Sequence, residues 1–141
     1  MAAYFKFNAF VADIATKVHN LGADVLKVML SNTALVATNA VKADLTEIAA
    51  GNGYAAGGTA VTVTTSSQTA GLYTLAGNQV VFTASVGTIG PLRYAAIYNS
   101  TPAPGNLIGG WDYGSSITLN PGETFTVQFN SANPGSILTI Q

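Results

Sequence analysis

Apolar side chains recur at two periods along this chain, and the change falls at Gly22. Before it, Phe10, Val11, Ile14, Ala15, Val18 and Leu21 follow the i, i+4, i+8 spacing that lays one stripe of a helix against a core. Asn8 is placed to cap the start and Asp13 sits in the early part. Lys17 and His19 lie toward the negative end of the helix dipole, and Gly22 is placed to stop it. Ahead of the helix, Tyr4, Phe5, Phe7 and Phe10 crowd into one short span that reads as a first strand or an extended arm, residues 1–10 at most.

Beyond Gly22 the period becomes two. Leu26, Val28 and Leu30 alternate with Val25, Lys27 and Met29 in a strand that ends at Ser31-Asn32. The stretch to about residue 50 is ambiguous, since Leu45-Thr46-Glu47-Ile48 fits a strand or a helical turn. Residues 51–58, rich in glycine, read as loop or bulged strand. From Thr59 onward the pattern is β throughout. Leu72-Tyr73-Thr74-Leu75 and residues 79–85 flank Gly77-Asn78, a plausible two-residue hairpin turn. Leu92, Tyr94, Ala96 and Tyr98 share one face of the next strand, and Pro102 and Pro104 mark a loop. Leu107 to Tyr113 then form a strand around Trp111. Asn120-Pro121-Gly122-Glu123 matches a type II turn joining Ile117 and Leu119 to Phe125, Val127 and Phe129. Asn133-Pro134-Gly135 precedes a last strand from Ile137 to Ile140. About eight or nine short strands punctuated by turns predict a mainly β chain, a β-sandwich or jelly roll with one short N-terminal helix. With no internal repeat, linker or charge run, residues 1–141 are expected to form a single domain.

Charge sharpens this picture. Only 8% of the 141 residues are Asp, Glu, Lys or Arg, against about a quarter in a typical domain. The five cations (Lys6, Lys17, Lys27, Lys42 and Arg93) are scattered and cannot form the basic row that a nucleic-acid binder needs. No cysteine is present, so disulfides, Cys-based zinc sites, Fe–S clusters and thiol nucleophiles are excluded. A surface of Thr, Ser, Asn, Gly and apolar groups with little mutual repulsion suits a protein that spends its life in an assembly. Neither a signal peptide nor a membrane span is expected, and the chain is expected to be made in the cytoplasm.

Reactive constellations are scarce. His19 is the only histidine, and on a helix it reads as a dipole-favoured or packing residue. Neither a G-x-S-x-G elbow nor a second histidine for a metal site is present. Asp44 and Glu47 read as solvated element ends rather than a carboxylate pair. Asp112, between Trp111 and Tyr113, is the best single acid, but on a strand it points away from both neighbours and reads as a partner for Arg93, the only arginine. Residues 51–58 lack the Lys and Ser/Thr of a phosphate loop. No enzyme activity and no cofactor are expected. Trp111, Tyr113, Tyr98, Tyr94 and Tyr73 could form a sugar-stacking platform or fill a small core and its rim. The terminal cluster of Tyr4, Phe5 and Phe7 wants either the core or a partner surface.

Several runs resemble segments of small virion proteins of tailed bacteriophages. They are His19 through Ala34, Leu45-Thr46-Glu47-Ile48 with Gly51-Asn52-Gly53-Tyr54 and Gly57-Gly58, and Gly90-Pro91-Leu92-Arg93-Tyr94 with Tyr98-Asn99. Trp111-Asp112-Tyr113-Gly114 and Leu119 through Phe125 complete the set. The resemblance implies a capsid decoration (cement) protein or a minor tail or fibre component. In the first case a β-sandwich subunit, often a homotrimer, binds the major capsid protein on the outside of the virion. It carries no functional residues across. From the residues themselves, Tyr4, Phe5, Phe7 and Phe10 are expected as an attachment arm or trimer seam, whose removal through Phe7 should leave the β fold intact. Trp111, Asp112 and Tyr113 are the alternative, a glycan or receptor site.

Overall fold

The computed structural model describes residues 3–129 and 135–141. The chain is mainly β. Strand β1 (Ala3–Lys6) and helix α1 (Ala9–Ala15) come first, followed by β2 (Leu26–Ser31), a 3-10 turn (Lys42–Asp44), β3 (Thr59–Ala60), β4 (Val63–Thr69) and β5 (Leu72–Gly77). Then come β6 (Val80–Thr83), β7 (Ile89–Asn99), β8 (Leu107–Leu119), β9 (Thr124–Val127) and β10 (Ser136–Ile140). All pairings are antiparallel, in sheets ordered β1-β8-β7-β2-β3, β10-β5-β4 and β6-β9. Among the described residues no helix is long and apolar enough to cross a membrane.

The alternation in β2 sorts its side chains as expected. Leu26, Val28 and Leu30 enter the main core with Phe10, Leu75, Phe82, Ile97 and Phe129. Met29 turns to a smaller cluster of Phe7, Ala96, Tyr98 and Leu107 on the other face. In β7 the alternation breaks. Leu92 joins the main core with Ala95 and Ile97, whereas Ala96 and Tyr98 join the smaller cluster. The four residues expected on one face are divided because the β7–β8 register slips between Leu92 and Tyr94, and a slip of one residue exchanges the faces.

The helix is shorter than its stripe. Phe10, Ile14 and Leu21 still pack into the core, but α1 ends at Ala15, and the Thr16 hydroxyl bonds back to the Ala12 carbonyl at 2.8 Å. Lys17 then takes a left-handed φ of 64°. Asn8 makes no side-chain cap. The expected hairpin at Gly77-Asn78 is also replaced. Asn78 N–H bonds to the Thr62 carbonyl, and β6 leaves to pair with β9. The two-residue turn is Ala70-Gly71, joining β4 to β5 with φ of 50° and 85°. The Asn120–Glu123 turn forms as expected, with Glu123 N–H 2.9 Å from the Asn120 carbonyl and Gly122 at φ 91°. Asn133 and Pro134, in the last expected turn, lie outside the described residues.

The ambiguous stretch is irregular, and polar groups hold it in place. Asp44 accepts from the N–H groups of Ala40 and Val41, bonds that hold its carboxyl below the usual range. Glu47, expected as a solvated end, is a half-buried hub. Its carboxylate accepts from the Tyr54 hydroxyl and the Gly57 N–H, and Lys42 Nζ lies 3.2 Å away. The Tyr54 hydroxyl in turn accepts from the Leu30 N–H of β2 at 3.1 Å.

Candidate functional site

Antiparallel pairing brings together two residue groups that lie far apart in the chain. β1 runs along β8 with Tyr4 opposite Trp111, and the two rings sit 5.3 Å apart. Trp111 also meets Phe129 at 5.7 Å, and Tyr113 meets Phe125 edge-on at 5.5 Å. Tyr4, Trp111, Tyr113 and Phe125 line a cleft of about 850 Å³, with Phe10 and Ala95 also lining it. Thr126 and Val127 of β9, Gln128 just beyond it and residues 136–139 of β10 line it too, and Lys6 and Arg93 add positive charge. The size and the mixture of aromatic faces with a few polar groups are those of a binding site. Tyr4 and Tyr113 keep 45% and 49% of their surface exposed, so each has a face left to offer.

The acid of this region is committed. Arg93 grips Asp112 in a two-bond fork, Nε to Oδ1 at 2.7 Å and Nη2 to Oδ2 at 2.9 Å, and Gly114 N–H adds a third bond at 2.8 Å. The Arg93 hydrogen bonds first, and the Gly114 N–H second, hold the Asp112 carboxyl below the usual carboxylate range. A carboxylate so held is an acceptor and an orienting group, not a proton donor at neutral pH. The expected Arg93–Asp112 partnership is present. The cleft can grip a flat, partly apolar surface, such as a sugar ring or a protein side chain, with the Arg93 guanidinium, itself paired to Asp112, among its lining groups.

The N-terminal residues divide differently from the expectation. Tyr4 reaches the cleft. Phe7 is fully buried in the smaller cluster, with Phe5 half-buried against it at 5.1 Å, and Phe10 is buried in the main core. They are not a free arm, because β1 is hydrogen-bonded to β8 and the Phe7 ring is part of the fold's interior. Removing residues through Phe7 would therefore take out core as well as any contact surface.

His19 lies past the end of α1, not on it, so the dipole reading fails. Its imidazole is buried beside the Phe10 ring, with Nδ1 3.2 Å from Asn99 Nδ2 and Nε2 3.8 Å from Asp13. Burial lowers its pKa, while Asp13 and Asp24 pull the other way. With the folded value below the unfolded one of about 6.5, the unfolded chain binds the proton first. Stability from this group is complete above the unfolded value and falls as pH drops through it toward the folded one. The thermal midpoint is expected to fall between about pH 7 and pH 5, and His19→Gln should flatten that slope. A variant with the wild-type slope would assign the effect to other groups.

Among the described residues no three His, Cys, Asp or Glu side chains gather as metal ligands would. Sequence reasoning missed two features of the site, the meeting of Tyr4 with Trp111 and the part played by Phe125. The second carried no local signal, because Tyr113 and Phe125 meet edge-on although their strands β8 and β9 belong to different sheets. Searches against protein-family models, curated proteins and solved structures find no match to this chain.

Proposed function

We propose that this protein is a structural virion component of a tailed bacteriophage, a non-enzymatic β-sandwich subunit. It binds the major capsid protein on the outside of the shell and stabilises the particle. The observation that carries this reading is the Tyr4–Trp111–Tyr113 cleft, an aromatic surface whose neighbouring acid is tied to Arg93. Trp and Tyr supply large contact areas at low entropic cost and dominate binding energies where they sit centrally. The sparse charge and the virion-like sequence runs support the same reading. A ligand that binds only the assembled shell stabilises it by its binding free energy, and many symmetric copies multiply the gain. Copies arranged as homotrimers would bring several clefts to one junction. The protein is made in the bacterial cytoplasm and ends on the capsid surface, with no cofactor.

A second reading is favoured by Arg93, which lines the cleft while paired to Asp112. Trp111 and Tyr113 stacking on a sugar, with Arg93 and Asp112 bonding its hydroxyls, describes a tail or fibre module that binds a host glycan or receptor.

Tyr113→Ala is the cleaner test, because the residue is half exposed. Its affinity for particles stripped of this protein is expected to fall about tenfold or more, and that of Trp111→Ala further, with the far-ultraviolet spectrum unchanged. Full occupancy by both variants would overturn the cement reading. Loss of glycan-array binding with occupancy retained would select the second.

A further inference from the structure

β4 is the longest sheet edge among the described residues that has no partner on its outer side, seven residues against five or fewer for the other edge strands. Its sequence, Val63-Thr64-Thr65-Ser66-Ser67-Gln68-Thr69, contains no charged residue and no proline, and it is exposed from Thr64 to Thr69. Edge strands are usually guarded by lysine, proline, a bulge or short length, because an open ladder recruits another strand. Here the one irregularity, between Val63 and Thr65, sits at the base. Thr69 and Leu72 flank the two-residue turn and so form a hydrogen-bonded pair. Alternation then turns the N–H and C=O groups of Ser66 and Gln68 away from β5. Among the described residues, residues 64–69 make no backbone bond outside the β5 ladder.

We propose that β4 is an interface between copies of this chain, two β4 strands pairing antiparallel across a twofold axis at Ser66 and joining two sheets into one. The choice of occupant follows from the strand. Centred on Ser66, it maps onto itself with Thr65 opposite Ser67 and Thr64 opposite Gln68, so hydroxyl and amide groups meet hydroxyl groups. A second copy brings no like charge against it. A foreign apolar strand would meet only hydroxyl and amide side chains on β4 from Thr64 to Thr69. The contact is separate from the cleft and from any threefold association, and with the latter it would link trimers in pairs.

The chain has no cysteine, so Ser66→Cys introduces a unique thiol. Cα atoms of a hydrogen-bonded antiparallel pair lie about 5.5 Å apart, within disulfide range. Mild oxidation should give covalent dimers of Ser66→Cys and none of Val86→Cys, an exposed control at the same concentration. In sedimentation equilibrium the wild type should have twice the mass of Ser66→Pro, which removes an outward N–H, and of Ser67→Lys, which charges the edge. Equal masses for the wild type and Ser67→Lys, together with no Ser66→Cys dimer, would overturn the proposal even if the proline variant failed to fold.

Discussion

Phe7→Ala is expected to lower the unfolding free energy by about 3–5 kcal/mol, the usual range for removing a buried phenylalanine ring. Phe7 has no exposed surface and fills the space between Met29, Ala96, Tyr98 and Leu107. Its N–H bonds to the Ile108 carbonyl, and the next residue's N–H bonds to Ala37, so the backbone around it is fastened as well. The cavity left by alanine could close only if β1 shifted on β8, and β1 is the strand that holds Tyr4 against Trp111. The cleft should therefore weaken with the fold, and the proposed binding to the shell should fall with stability. Urea denaturation followed by tryptophan fluorescence reports both, since Trp111 is the only tryptophan. An unchanged midpoint would restore the picture of residues 1–10 as an independent arm.

Gly58→Ala should be nearly as damaging, at about 2–4 kcal/mol, from left-handed strain plus overpacking. Gly58 has a φ of 77°, where a side chain is strained, and a Cβ there would collide with the Val28 carbonyl. That carbonyl belongs to the interior strand β2, which is packed on both faces and cannot yield. Gly58 is the last residue before β3, whose pairing with β2 closes one side of the large sheet. The loop that leads into it is already pinned by Glu47 and by the Tyr98 hydroxyl on the Gly57 carbonyl at 2.7 Å. With the loop held from both sides, the added methyl group has nowhere to move. Chemical denaturation of the variant measures the cost, and a loss below about 0.5 kcal/mol would show that β3 rides freely on β2.

The strands were legible where burial is regular. Leu26, Val28 and Leu30 could be assigned to one face from spacing alone, and Asn120-Pro121-Gly122-Glu123 carried its turn type in its residues. Legibility failed where a backbone event outweighs local preference. Ala70 enters the left-handed region at the true hairpin, a place its chemistry does not advertise, whereas Gly77-Asn78 has the right chemistry but joins β5 and β6, which do not pair with each other. At the cleft, Trp111 and Tyr113 stood out in the sequence, and the Arg93–Asp112 pair could be anticipated because each is charged on a nearly uncharged chain.

By itself the sequence determined the class of this protein: period-two alternation demands strands, missing cysteine and sparse charge exclude whole chemistries, and turn residues place most of the breaks. These are local properties, set by neighbours within a few positions. Tertiary structure alone decided which strands pair, where β7 slips and changes face, and that Phe7 belongs to the interior while Tyr4 reaches a cleft with Trp111. Those outcomes depend on contacts between residues from about twenty to about a hundred positions apart, whose energies are comparable for many arrangements until the whole core is packed.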